Sequence, residues 1–164
     1  MTISQGDKIP HAQLTLMSKQ GPSPVDAAEL TGSGRTVLFS VPGAFTPTCS
    51  AQHLPGFVEH ADALMAKGVD RIVCVAVNDV FVMDAWGKSA GVEDKIIMAA
   101  DGNGDLARAL GLEMDGQAFG MGQRSQRFAM IVDDGVVTSL MVEAPGEFRV
   151  SSAEYVLSKL ASST

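Results

Sequence analysis

The sequence predicts an α/β domain in which a central mixed sheet is flanked by helices. Three observations carry that expectation. Runs rich in β-branched and apolar residues alternate with stretches of helical periodicity up to residue 110. Two apolar runs further on, 127–132 and 136–142, are joined by Asp133-Asp134-Gly135, a hairpin signal. Ser151 and Glu154 have the spacing of a capping box and open a final helix to about Leu160. The order is βαβαβα, then a hairpin, then a helix. Without repeat or linker, residues 1–164 read as one domain.

Residues 12–17 alternate weakly and read as an early strand, 20–24 as a turn carrying Pro22 and Pro24, and 25–30 as one helical turn. A loop over 31–34 leads into a strand over 36–41. A helix then opens at Thr46, an N-cap whose hydroxyl accepts from a free amide, with Pro47 at the first helical position. It is expected to run to Lys67, with Gly68 as its stop. Leu54, Phe57, Val58, Ala61, Leu64 and Met65 form its buried stripe. Pro55 removes an interior hydrogen bond and should kink it shortly after Cys49.

The strand over 71–77 is apolar on both faces, as a central parallel strand is. Asn78-Asp79 ends it and caps a helix through about Lys88. Residues 95–100 form another buried strand, 105–110 a short helix stopped by Gly111, and the Gly- and Gln-rich 116–126 a surface loop.

Composition narrows the function classes. A chain of 164 residues can bury roughly 70% of its unfolded surface. With 46% hydrophobic and 19% charged residues it is ordinary globular material. A net charge of −7 argues against a nucleic-acid face, which needs a basic stripe, and against an anionic membrane. No basic stretch followed by an apolar core stands at the start, and no apolar run approaches the roughly 18 residues that span a bilayer. Two cysteines are too few for a disulfide-stapled scaffold. The expectation is a soluble, cytoplasmic protein.

Cys49 falls at the third helical position, where a capping box would place Glu or Gln. A sulfur there lies among unpaired amides at the positive end of the helix, the kind of setting in which cysteines are nucleophilic. Ligands of open α/β sheets gather at the carboxyl ends of parallel strands, and Cys49 follows such an end. If the strand that starts at Arg127 runs antiparallel, its beginning lies at the same edge and brings Arg127 to Cys49. Arg124, the competing arginine, reads as a loop-surface residue. Cys74, within Ile72-Val73-Cys74-Val75-Ala76, reads as a packed core thiol. His53 lies on the Cys49 face of the helix. A metal pair or help to the thiol are both open to it, but two residues do not make a zinc site, and it reads as a surface or supporting histidine. Trp86 and Met83 read as core or interface residues.

Pro42, Thr46 and Cys49 fit the pattern P-x-x-x-T-x-x-C. The string VPGAFTPTCS over 41–50, continued by His53-Leu54-Pro55-Gly56-Phe57, resembles the peroxiredoxins, thiol peroxidases of the thioredoxin fold, and in particular their type II (atypical two-cysteine) subfamily. The likeness runs on through Val77-Asn78-Asp79, Ala85-Trp86 and Arg124-Ser125-Gln126-Arg127-Phe128, and covers nearly the whole chain. It implies a thioredoxin-like fold with N-terminal and central additions. It implies thiol-dependent reduction of hydrogen peroxide and small organic hydroperoxides in antioxidant defence, with no metal or bound cofactor. Cys49 would be the peroxidatic cysteine and pass through a sulfenic acid, and Arg127 would be the active-site arginine. Thr46 would hold the peroxide in line, and Pro42 would screen the sulfur from water. Glutaredoxin with glutathione, or thioredoxin, would supply electrons, and a homodimer would form through loops at the active-site edge.

Some type II members resolve with a cysteine 25 positions after the peroxidatic one, the separation of Cys74 from Cys49. A resolving role for Cys74 therefore stands beside the core reading. Near Ser151, where some relatives carry a distant resolving cysteine, this chain has none. Cys74 should also lie about 10 Å below the active-site edge, so two separate thiols and an external reductant are expected. Two rival functions fit less well. A disulfide oxidoreductase wants C-x-x-C, and position 46 is Thr46. A non-catalytic interaction module has no need of Pro42, Thr46, Cys49 and Arg127 together.

Overall fold

In the computed structural model, which describes residues 2–162, the chain starts with an antiparallel pair, β1 (Gln13–Ser18) and β2 (Gly21–Asp26), and the single turn α1 (Ala27–Leu30). β2 replaces the expected turn. Pro22 and Pro24 sit opposite Met17 and Thr15 on the outermost strand of the sheet, where a missing amide donor costs no ladder bond.

β3 (Arg35–Ser40), β4 (Arg71–Ala76) and β5 (Ile97–Ala100) are parallel. β8 (Phe128–Asp133) runs antiparallel to β3 and forms a hairpin with β9 (Val136–Val142). Its two-residue turn has Asp134 at φ 50° and Gly135 at φ 82°, the left-handed pair that such a hairpin demands. The sheet order is β2-β1-β5-β4-β3-β8-β9.

Alternation along the central strands divides the core into two layers. Val37 and Phe39 of β3, Ile72, Cys74 and Ala76 of β4, and Ala129 and Ile131 of β8 belong to one. Leu38, Val73, Val75, Phe128, Met130 and Val132 belong to the other. The first layer is covered by α2 (Leu54–Glu59), α3 (Ala61–Ala66), α4 (Val80–Ala90) and α6 (Ala153–Ser162) through Phe57, Leu64, Met83, Trp86 and Val156. The second is covered by α5 (Asp105–Leu110) and the N-terminal segment. Among the described residues no helix is long and apolar enough to cross a membrane.

Three further expectations need correction. The helix drawn from Thr46 to Lys67 is broken at His60, whose ψ of 9° separates α2 from α3; Gly68 ends it as expected, at φ 89°. The surface loop over 116–126 is the exposed connection between β6 (Glu113–Asp115) and β7 (Gln123–Ser125), with a 3₁₀ turn at Gln117–Phe119, and only its end, β7, departs from the expectation by forming a strand. The cap of α6 is Ser152, whose hydroxyl accepts from the Tyr155 amide at 3.2 Å. Ser151 is used elsewhere, and Glu154 pairs with His60 at 2.9 Å. Asp79 caps α4 as expected, accepting from the Val82 amide at 2.9 Å.

Candidate active site

β3 ends at Ser40, opposite Phe128 at the beginning of β8. That antiparallel register brings the 41–46 turn and Arg127 to one edge of the sheet. Pro42 follows Val41, half-buried, and Gly43 is buried. A side chain at Gly43 would meet Met121 Cε at 3.1 Å, Thr46 Cγ2 at 3.2 Å and Arg124 Nη1 at 3.4 Å, so glycine lets these three side chains close over the turn without giving way. The Ala44 amide donates to Asn78 Oδ1 at 2.9 Å, which ties the turn to the end of β4. Phe45 takes φ 64°, a strained conformation for a bulky residue, and leads directly into Thr46.

Thr46 holds the N-cap position, its carbonyl accepting from the Ser50 amide at 2.9 Å, but its hydroxyl does not accept a helix amide as expected. Its hydroxyl donates to the Gly43 carbonyl at 2.7 Å and so braces the turn. Pro47 is the first helical residue and Cys49 the third, as anticipated. From Cys49 to His53 the chain forms a π turn, in which the Leu54 amide donates to the Cys49 carbonyl five residues back. Pro55 is the cause: it has no amide, and its ring crowds the carbonyl four residues earlier. The distortion expected one or two turns past Cys49 takes the form of this widened turn, which begins at Cys49 itself. Ser50 accepts from the Trp86 indole at 3.0 Å, anchoring the helix start to α4.

Cys49 is fully buried, with Arg127 Nη2 donating to its Sγ at 3.1 Å. Arg127 Nη1 lies 2.8 Å from His53 Nδ1, and His53 Nε2 lies 2.9 Å from the Ser151 carbonyl. The guanidinium carries only donors, so Nδ1 must accept and Nε2 must hold the proton it gives to Ser151. Burial, then the adjacent Arg127 charge, push the His53 pKa down to about 3, with the Ser151 carbonyl opposing them. His53 is therefore a neutral interior group, not a surface histidine, and both its nitrogens are engaged. Its ring packs between Phe39 and Phe148, each at a centroid distance of 4.9 Å.

Sequence reasoning left His53 between a surface and a supporting role, of which the supporting one holds, and it missed Glu143 altogether. One oxygen of buried Glu143 accepts from the amides of Arg149, Val150 and Ser151 and from the Ser151 hydroxyl, at 2.7 to 2.8 Å. The available signal was a carboxylate directly after an otherwise uncharged hairpin strand. Beside Arg127 a cavity of about 380 Å³ opens between Thr48, Met114, Gln126 and the 144–147 loop.

Arg124 is half-buried and not a loop-surface residue. It donates to the Met121 carbonyl at 2.8 Å and the Val77 carbonyl at 2.9 Å, pinning the β6–β7 ribbon to the end of β4. Cys74 is fully buried in mid-strand opposite Phe39. Burial, reinforced by Cys49, pushes its thiol pKa well up. Both cysteines are free thiols.

Residues 4–157 match the family model described as Redoxin. Peroxiredoxin-2E-2, chloroplastic, of Oryza sativa subsp. japonica is 52% identical over 164 positions, covering 97% of this chain and 73% of that protein. Peroxiredoxin-2B of Arabidopsis thaliana is 45% identical over 159 positions, covering 96% of this chain and 98% of that one. Among solved structures, reduced Prx3 in complex with H2O2 from Vibrio vulnificus superposes with a TM-score of 0.94 at 53% identity, over 97% of this chain and 99% of that one.

Proposed function

The chain belongs to the type II peroxiredoxins of the redoxin family and is a thiol-dependent peroxidase, and on that premise we propose that Cys49 is the sulfur that hydroperoxides oxidise. The observation that carries this assignment is the 3.1 Å approach of Arg127 to the Cys49 sulfur. The sulfur delivers an electron pair to the terminal peroxide oxygen. An S–O bond forms, the O–O bond breaks, and the departing oxygen takes up the proton that the thiol gave up, leaving as water or an alcohol. A fixed guanidinium can donate to sulfur and departing oxygen together, so charge in the transition state meets donors already in place. Thr46, its hydrogen committed to Gly43, offers its oxygen to the peroxide O–H. Pro42, with no amide of its own, screens the sulfur from water.

Cys49 is left as a sulfenic acid. An external thiol then displaces water to give a mixed disulfide, and a second thiol releases Cys49, reduced, with a disulfide as the oxidised product. Glutathione with glutaredoxin fits this role better than internal resolution by Cys74. Cys74 is fully buried and its thiol ionises reluctantly, whereas the cavity beside Arg127 has room for a small thiol and is lined by Thr48, the residue before Cys49. Thioredoxin, a larger donor, would need a wider opening. In the Cys49→Ser chain peroxide consumption with glutathione and glutaredoxin should stop while the far-ultraviolet dichroism is kept. Turnover at the wild-type rate would refute the assignment.

The same edge suits association with a second copy. Phe45, Phe81 and Phe119, 53%, 65% and 79% exposed, stand in the turn before Thr46, at the start of α4 and in the β6–β7 connection. Covering them would make a homodimer through the loops around the active site. Phe119→Ser should shift sedimentation equilibrium toward monomer, and an unchanged or monomeric wild-type profile would refute this interface.

A further inference from the structure

We infer that His53 is a positioning residue for Arg127 in the peroxidase reaction, and that Glu143 holds His53 to that task through residues 149–151. The inference rests on Cys49 being the oxidised sulfur. Arg127 and Glu143 are joined twice. Their backbones pair where the hairpin opens, the Glu143 amide donating to the Arg127 carbonyl at 3.0 Å. Their side chains are joined the long way round. Glu143 collects three amides and a hydroxyl from residues 149–151; the Ser151 carbonyl takes the Nε2 proton of His53; His53 Nδ1 accepts from Arg127. The chain of bonds closes into a ring, and the guanidinium is the member that faces sulfur.

Each link fixes an orientation that the next one needs. An arginine has several rotatable bonds and rarely keeps one pose from a single partner. Here one Nη donates to sulfur, the other to a ring that cannot turn, because Phe39 and Phe148 flank it and Ser151 holds its far nitrogen. Phe148 also lies 5.9 Å from the guanidinium carbon, covering histidine and arginine together. The Ser151 residue is placed in turn by its own amide and hydroxyl on Glu143, so the far side of the histidine is anchored through a carboxylate that touches neither the Arg127 guanidinium nor Cys49 directly. Displacement by about 1 Å of a group near the reacting atoms costs up to about a hundredfold in rate.

The experiment compares two reactions of the same sulfur. Oxidation of Cys49 by hydrogen peroxide needs the guanidinium aligned on the departing oxygen; alkylation by iodoacetamide has no such oxygen. His53→Leu, which keeps the packing but removes both nitrogens, should slow oxidation by about tenfold or more and alkylation much less. His53→Asn, which can place an acceptor near the Nδ1 position, should recover much of the loss. Glu143→Gln should lose rate in the same direction by a smaller factor. Urea midpoints of all variants are read in parallel. Oxidation at the wild-type rate in His53→Leu, equal slowing of the two reactions, or failure of Asn to rescue would each overturn the inference. A wild-type chain whose Cys49 resists peroxide would instead overturn the peroxidase assignment beneath it.

Discussion

The two cysteines lie in the same core layer and are equally hidden from solvent, yet their surroundings have opposite chemistry. Cys49 ends a turn braced by Thr46 and Gly43 and faces a guanidinium at 3.1 Å. Cys74 sits in the middle of a parallel strand, and burial disfavours its anion. Burial alone therefore says nothing about a thiol's reactivity; what matters is whether a fixed cation shares the cavity. The sheet places that cation, because Arg127 reaches Cys49 only through the antiparallel register of β3 and β8.

Removing the cation should erase most of the difference. Arg127→Ala should slow peroxide reduction by about a hundredfold or more, the usual loss for a positioned charged donor. Arg124→Ala should leave Cys49 oxidation nearer the wild-type rate, since its donors are spent on the Met121 and Val77 carbonyls. Stopped-flow peroxide kinetics on both variants checks this, and a larger loss from Arg124→Ala would reverse the two roles.

A second measurement sharpens the contrast from the other side. Cys74→Ala should keep glutathione-dependent turnover while lowering stability by about 1–2 kcal/mol in urea, the cost of a small cavity in a packed strand. Mass spectrometry after one equivalent of peroxide with glutathione should show a mixed disulfide on Cys49. A fast, quantitative Cys49–Cys74 disulfide would make Cys74 the resolving thiol.

The last measurement is one of pH. His53 takes a proton below its ordinary value of 6.5 in the unfolded chain, but only below about 3 when folded. Between those values the unfolded state binds more protons, so stability falls as pH falls, by up to about 1.4 kcal/mol per unit from this group. Below about 3 the contribution flattens. Urea midpoints between pH 7 and pH 4.5 should slope less in His53→Leu than in wild type; parallel slopes would mean His53 titrates normally.

Cys49 and Arg127 were legible in the sequence because their signals are local: a strand end, Thr-Pro opening a helix, and a hairpin whose turn fixes its direction. Asp79 and the Asp133-Asp134-Gly135 turn were legible for the same reason. His53 was not, because its environment is assembled from residues 39, 127, 148 and 151, and no window of sequence contains them. The cap of α6 was misread by one residue because adjacent serines are equivalent to a spacing rule. Only Glu143, from another strand, decides that Ser151 is occupied. β2 was hidden by its prolines, which speak against a strand everywhere except at a sheet's rim.

The π turn between Cys49 and His53 is what a helix makes of one surplus residue. Deleting a single position there, for instance Ala51, would let the segment close as an ordinary α-helix. Because the wider turn absorbs the surplus residue, the helix on either side would stay in phase, but Cys49 and His53 would stand three positions apart instead of four. Both now reach one guanidinium, and the shorter spacing would change how each of them meets it. A homologue with an alignment gap between these two residues has had to build that shared arginine contact anew.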